Sequence, residues 1–392
     1  MNKSLSLATI GVLVLTTCLS AGAGESSGSR PAARKSWTAA VKLEGKGRYD
    51  TNVFLLSDRQ KTKLQTAGPN EQISGRFQDM NSVSDYIFTP SVTFLTEGRG
   101  IAGRRLGLQA RVNYDMYFLN SKRRHFDLDF AVEQATSRNG RVRVKFAYVP
   151  NYFYKNYLAD ATNYTSSVAP SERVYRPDVY NEGDLTIDYR YRMAGGRAVA
   201  IARGGYLKQR NRAPFLGHDR SGPHGGGGID FGLTNWWRIG GAYDYALADS
   251  PRVQEVMILN EPDFGVDFNN DGDASQTSIR TMQFVNRSHH EQLFHVNTKV
   301  GLTERSFFEF GYERRHRNFL SREPFDVLHN GRGDARGSFT AAFSSHLGQH
   351  LLLTTGYSYI LQNSSLPNDP GVTGEINDYK RRVGFLALAY RF

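Results

Sequence analysis

The chain has 392 residues, a formal net charge of +11, and 24 Phe and 21 Tyr within a hydrophobic fraction of only 39%, with a mean hydropathy of −0.50. Many aromatics at so low a hydropathy exclude a helical membrane protein, and a single cysteine, Cys18, excludes a disulfide framework. The Arg and Lys residues are scattered with no recognition module among them, so no nucleic-acid partner is expected.

The chain opens on "MNKSLSLATIGVLVLTTCLSAGAGESS", with a lysine, an apolar run from about Leu5 to Leu15, and small residues at Ala21 and Ala23. This is the build of a secretory signal peptide over 1–23, cleaved after Ala23. The alternative, a lipoprotein site at "LTTC", places a poor residue, Thr17, before the acylated cysteine. Removal of Cys18 leaves a mature chain without a thiol. Residues 24–36 read as a short Ser/Gly-rich leader in the periplasm, and 37–392 as one unit.

From there the pattern is dyadic. In "RLGLQARVNYDMYF" Leu106, Leu108, Ala110, Val112, Tyr114, Met116 and Phe118 share one face, opposed by Arg105, Gln109, Arg111, Asn113 and Asp115. "FDLDFAVE" repeats this, with Phe126, Leu128, Phe130 and Val132 against Asp127, Asp129 and Glu133; so does "RVRVKFAYV", with Val142, Val144, Phe146 and Tyr148 against Arg141, Arg143 and Lys145. The turn signal "ATSRNG" between the two predicts a hairpin that brings Asp129 and Glu133 near Arg143 and Lys145. Continued along the chain, the pattern predicts about 14 strands: 37–50, 84–97, 104–119, 125–137, 141–153, 182–194, 197–208, 227–236, 238–248, 291–303, 306–318, 337–346, 349–361 and 378–392. Short connections such as "SRNG", "TERS" and "LGQH" alternate with mostly long polar ones at 51–83, 154–181, 209–226, 249–290, 319–336 and 362–377. Segments of about ten residues, apolar on one face and charged on the other, have the length and dyad period of strands that cross a bilayer at a tilt.

The last stretch, "FLALAYRF", sets Leu386, Leu388, Tyr390 and Phe392 at alternate positions up to the final residue. A signal peptide, dyad strands and such a terminal strand resemble the bacterial outer-membrane β-barrels. "GRYDTNVFLLSD" followed by "SDYIFTPSVTF" is similar to the opening hairpin of the β-barrel porin type 2 group, a likeness confined to that hairpin. The resemblance implies an all-β fold: a transmembrane antiparallel up-and-down barrel with short periplasmic turns and long extracellular loops. It implies a barrel-assembly machinery that reads Leu386, Leu388, Tyr390 and Phe392, and an environment of outer-membrane lipid and lipopolysaccharide.

Function is read from the inner face. A barrel of about 14 strands leaves a narrow lumen, lined here by Arg105, Arg111, Asp115, Asp127, Asp129, Glu133, Arg141, Arg143, Lys145, Asp188 and Arg190, with small residues such as Gly107, Gly240, Gly311 and Gly356 leaving room. The expected function is passive passage of small hydrophilic solutes with a weak preference for anions. Lys122, Arg123 and Arg124 are candidate contacts for outer-leaflet phosphates. An outer-membrane hydrolase is the alternative, with "RSHHEQLFH" (Ser288, His289, His290, Glu291, His295) and "GHDRS" (His218, Asp219, Ser221) as the His-bearing stretches; loop-mediated surface binding is another. No cofactor is expected, save that "DFNNDGDAS" places Asp267, Asn269, Asp271 and Asp273 at calcium-loop spacing. Ser278 stands where the bidentate glutamate belongs, so the stretch fits either a Ca²⁺ loop or a metal-free Asn/Asp/Gly turn.

Overall fold

The computed structural model describes residues 37–66, 77, 79–158, 175–259, 279–323, 326, 329–365 and 378–392. The signal peptide, the leader and the Asp267, Asn269, Asp271, Asp273 stretch lie outside the described residues. Dyad segments become strands because alternate side chains of an extended backbone fall on opposite faces. In chain order they are β1 (Thr38–Asp50), β2 (Asp85–Arg99), β3 (Arg105–Tyr117), β4 (His125–Ala135), β5 (Gly140–Leu158), β6 (Tyr175–Met193), β7 (Ala198–Asn211), β8 (Arg220–Gly232) and β9 (Trp237–Ala248). There follow β10 (Val253–Leu259), β11 (Ile279–Val285), β12 (His289–Gly301), β13 (Ser306–Phe319), β14 (Gly333–His346), β15 (Leu351–Ser365) and β16 (Tyr379–Arg391).

Fourteen of these form one closed antiparallel ring in chain order, with β9 beside β12 and β16 returning to β1; β10 and β11 stand apart as a two-stranded sheet. The closing seam pairs Leu43 with Tyr390 and Gly47 with Leu386. Closure satisfies every edge, which is what lets strands cross lipid. The outward residues form an apolar belt: Phe130 is 49% exposed, Ile187 50% and Tyr206 50%. Such a belt around charged inner positions is the inversion of a soluble protein, so the chain is an outer-membrane β-barrel. Among the described residues no helix is long and apolar enough to cross a membrane.

The structure departs from the sequence reading in several places. The expected 154–181 loop is shorter, because β5 runs on to Leu158 and β6 begins at Tyr175, seven residues before the expected 182. β8 begins at Arg220, seven residues before the expected 227, although "RSGPHGG" reads as loop. Its glycines are packing sites: a Cβ on Gly226 would lie 2.2 Å from Asp244 Oδ1, and one on Gly228 2.7 Å from the Gly241 carbonyl oxygen. The 249–290 connection is not one loop, since β10 and β11 pair within it from Val253↔Val285 to Leu259↔Ile279. The 51–84 connection, here L1, also has structure of its own. Helix α1 (Asp58–Thr66) is opened by a capping box in which the Gln60 N–H donates to Ser57 Oγ at 3.2 Å and the Ser57 N–H to Gln60 Oε1 at 3.3 Å.

L1 packs inward. Val53, Phe54, Leu56, Leu64, Phe77 and Met80 form the principal apolar cluster with the strand residues Ile87, Tyr117 and Phe153. Burying the Phe54 and Leu56 side chains, 0% and 1% exposed, contributes roughly 1.5–3 kcal/mol each. Two polar clamps hold the same end. Asn52 donates to the carbonyl oxygens of Leu56 at 2.8 Å and Lys380 at 3.2 Å, and its Oδ1 accepts the Leu56 N–H at 2.8 Å. Asp85 accepts the backbone N–H groups of Phe118, Leu119 and Asn120 at 3.0, 2.9 and 2.8 Å, fixing the β3–β4 loop beside L1.

Candidate functional site

The inner wall is built by strand register. Asp129 stands opposite Arg111, and Glu133 opposite Gly107 and Arg143; Arg143 stands opposite Asp188, and Arg141 opposite Arg190. Antiparallel partners share a face, so Arg105, Arg111, Asp115, Asp127, Asp129, Glu133, Arg141, Arg143, Lys145, Asp188 and Arg190 all lie on the side opposite the apolar belt. Neighbouring charges meet there. Asp129 accepts from Arg111 Nε at 2.9 Å and lies 3.2 Å from Lys145 Nζ. Glu133 pairs with Arg141 at 3.0 Å, on the diagonal, rather than with Arg143, which among the described residues reaches Gln109 at 3.5 Å.

Other pairs skip a strand. Arg48 on β1 reaches Asp115 on β3, Arg203 on β7 lies 3.1 Å from Asp244 on β9, and His224 on β8 lies 2.8 Å from Asp184 on β6. The strand between must present something small or accommodating. Gly205 on β7 leaves the space that His224 fills, since a Cβ there would sit 2.5 Å from its Nε2. Gly240 and Gly356 are likewise filled, by Asp230 with Asn297 and by the Phe385 ring. These glycines therefore seat neighbouring side chains, whereas Gly107 and Gly311 have no close neighbour at the Cβ position. A second lattice covers β12–β14: Glu291 takes Arg317 at 2.9 Å and Arg315 at 3.4 Å, and Glu313 takes Arg336 at 2.8 Å.

The wall is not charged throughout. Register places Val199, Ile201 and Leu207 of β7 on the inner face, opposite Arg192, Arg190 and Asp184. Val383, Phe385, Ala387 and Ala389 of β16 face inward opposite Asp50, Arg48, Lys46 and Glu44. Lys46 lies over the Phe385 ring at 4.6 Å. Leu386, Leu388, Tyr390 and Phe392 are on the lipid side, with the Tyr390 and Phe392 rings edge to face at 4.6 Å.

Not every candidate side chain is where its sequence position suggested. Arg123 is not a surface cation: it is 3% exposed, donates to the Tyr154 carbonyl oxygen at 2.8 Å, and sits over the rings of Phe54 and Tyr152 at 4.9 and 5.1 Å. Lys122 pairs with Asp79 at 2.6 Å, and Arg124 donates to the Tyr117 carbonyl oxygen at 3.0 Å. The histidine stretches do not assemble into relays. His289 and Glu291 face inward while His290 faces outward against Tyr245. Ser288 Oγ accepts the Ser250 N–H at 2.9 Å. His218 engages Asp178 at 2.8 Å, and its sequence neighbour Asp219 accepts the Asn211 N–H at 2.6 Å.

Sequence reasoning missed one polar centre. Asp326, 0% exposed, accepts from His329 Nδ1 at 2.7 Å, Ser321 Oγ at 2.8 Å and the Asn286 N–H at 3.0 Å, tying the β13–β14 loop to the segment before β12. Burial holds the His329 imidazole below its ordinary value, against the pull of Asp326. Burial also tends to raise the Asp326 carboxyl, but its hydrogen bonds, led by that from His329, hold it below the usual range. Only the spacing "SREPFDVLH" could have pointed to it. Asp115, His125 and Asp127 also converge, their ligand atoms all within 4.8 Å of one another.

No family model matches the chain, and no curated protein sequence matches it. Among solved structures it is similar to the outer membrane channel DcaP of Acinetobacter baumannii, at 12% identity and a TM-score of 0.43, covering 94% of this chain and 100% of that one. It is similar to the toluene transporter TbuX of Ralstonia pickettii at 10% identity and a TM-score of 0.43, covering 91% and 90%. It is also similar to the monoaromatic hydrocarbon channel TodX at 7% identity and a TM-score of 0.44, covering 92% and 91%. At these identities the likeness is one of barrel shape and transfers no residue's role.

Proposed function

We propose that the protein is a passive outer-membrane channel for small hydrophilic solutes, with a weak preference for anions. The observation that carries this reading is the closed ring of fourteen strands whose inner face bears charged side chains from β1 round to β16. Fourteen strands enclose more space than their own side chains fill, as an eight-stranded barrel's do, and a charged inner surface is stable only in contact with water.

The weakness of the preference follows from pairing. Arg111, Lys145, Arg141 and Arg203 each have a carboxylate within 3.2 Å, so most of their field is cancelled locally. Arg143 and Lys46 have no carboxylate partner among the described residues and supply the surplus that favours anions. L1 narrows the loop end on the side of β2, β3 and β5, where its apolar cluster packs. Outside the belt, lipid and lipopolysaccharide are the surroundings, and Leu386, Leu388, Tyr390 and Phe392 present the terminal strand to the assembly machinery.

Purified barrel in a planar bilayer under a KCl gradient tests the proposal. Stepwise conductance with a reversal potential displaced toward chloride is expected, and Arg143→Glu moves it toward potassium. Folded barrel that inserts and gives no steps would overturn the channel; a reversal potential indifferent to Arg143→Glu would overturn the source of the selectivity.

A further inference from the structure

Among the histidines of the described residues, only the one that opens β4 converges with two carboxylates at the spacing of metal ligands. His125 is 8% exposed, and its Nδ1 lies 2.7 Å from the Arg123 carbonyl oxygen. A carbonyl only accepts, so Nδ1 carries the hydrogen, and the lone pair of the neutral ring is on Nε2. That nitrogen makes no hydrogen bond among the described residues, yet points at Asp127 Oδ1, 3.5 Å away, and Asp115 Oδ2, 3.9 Å away.

These distances distinguish two explanations. An imidazolium closing on a carboxylate does so at about 2.7–2.9 Å, and three other pairs here do: His218–Asp178 at 2.8 Å, His224–Asp184 at 2.8 Å and His329–Asp326 at 2.7 Å. His125 stands off from both of its carboxylates. Two ligand atoms each about 2.1 Å from a tetrahedral ion are about 3.4 Å apart, close to the Nε2–Asp127 separation. A histidine that gives its other N–H to a backbone carbonyl has the tautomer and orientation of a metal ligand.

We propose that Asp115, His125 and Asp127 bind a divalent first-row transition-metal ion at the lumen wall. The imidazole favours zinc, nickel or copper over magnesium and calcium, which prefer oxygen ligands alone. Asp115 is aimed by Thr89 Oγ1, which donates to its Oδ1 at 2.5 Å, and by Arg48 on Oδ2. Tyr152, edge-on to His125 at 4.7 Å, fixes the ring plane. Asp127, its side chain 34% exposed, opens the site to the lumen. The Arg48 charge opposes a cation and sets the affinity below that of a bare carboxylate pair.

The test uses full-length barrel without a histidine tag, folded in detergent, stripped with chelator and desalted. Calorimetric titration with ZnCl2 is expected to give one site that His125→Ala and Asp127→Asn each weaken at least about tenfold, and that equal MgCl2 does not displace. Co²⁺ in place of Zn²⁺ is expected to give a visible d–d band that Asp127→Asn removes. Heat-modifiable mobility on gels checks that each variant is folded; if His125→Ala is not, the near-isosteric Asp127→Asn decides. Absence of zinc binding by the parent, or the same isotherm in parent and Asp127→Asn, would overturn the site whether or not the barrel conducts.

Discussion

Asp85 allows a quantitative test of how the loop end is held. Its Oδ1 accepts the N–H groups of Phe118 and Leu119, and its Oδ2 accepts the N–H and side-chain amide of Asn120. In Asp85→Asn one oxygen still serves one pair of donors, while an NH2 group now confronts the other pair. Two buried donors left without an acceptor cost roughly 1–3 kcal/mol each, so the closed loop loses about 2–6 kcal/mol. At about 3 kcal/mol the opening equilibrium rises roughly 150-fold, and amide hydrogen exchange reads this directly. The peptide spanning 118–120 is expected to exchange faster by about that factor. Asn81 and Ser82 should follow, because Asn120 Oδ1 holds their N–H groups at 2.9 and 3.2 Å. The β13–β14 hairpin serves as the unchanged control. Exchange at 118–120 indistinguishable from the parent would refute the clamp, and acceleration there without any at 81–82 would refute the coupling through Asn120.

Three further outcomes are expected. Phe130→Arg, at the middle of β4 on the apolar belt, should destabilise the barrel by about 2–4 kcal/mol in lipid vesicles, read as a lower urea midpoint; an unchanged midpoint would mean that this face does not meet lipid. In the β13–β14 loop, the folded values of His329 and Asp326 both lie below their ordinary 6.5 and 3.8, so the opened loop binds protons more readily. The Asp326 centre is therefore at full strength above pH 6.5, weakens as pH falls below it, and weakens again below 3.8. Protease nicking of reconstituted barrel should rise between about pH 7.5 and about pH 5, and equal rates after correction for protease activity would exclude the linkage. Deleting Phe392 removes one seam hydrogen bond, its N–H to the Val41 carbonyl oxygen at 2.9 Å, worth about 1 kcal/mol. Spontaneous refolding in detergent should change little while assembly in cells falls severalfold; equal losses in both would place the role of Phe392 in the seam alone.

The strands were legible because one rule, alternation, governs both faces of the wall. "RLGLQARVNYDMYF" reads correctly as β3 since every second residue is apolar and the rest, up to Tyr117 at the loop end, are polar or small. The rule fails where the wall itself departs from it. In β8, glycines that make room for Asp244 and for the close backbone of Gly241 and Leu247 look like a loop, because their partners lie on the next strand. In β7, Val199 and Ile201 are inward and apolar, so the strand reads correctly over 197–208 but its two faces show little contrast. L1 reads as a polar connection by composition, although "SDRQ" contains both halves of a capping box, a local signal present in the sequence. Its inward packing was not available, since the residues receiving Phe54 come from β2, β3 and β5. The His125 cluster was half visible: Asp127 and His125 are two apart on one strand, but the Nδ1 contact that orients the ring depends on the backbone of the preceding loop.

The straps at the start of L1 bear on the order in which the protein is made. Thr51 exchanges hydrogen bonds with Arg382, its N–H to the carbonyl oxygen at 3.0 Å and its Oγ1 accepting the Arg382 N–H at 2.9 Å, while Asp50 takes the Arg381 guanidinium at 2.9 Å. Both partners belong to the final strand, synthesised more than 300 residues later. The inserted segment thus has no complete seat until the first and last strands have met, and a ring still open at that seam has its mouth unfurnished.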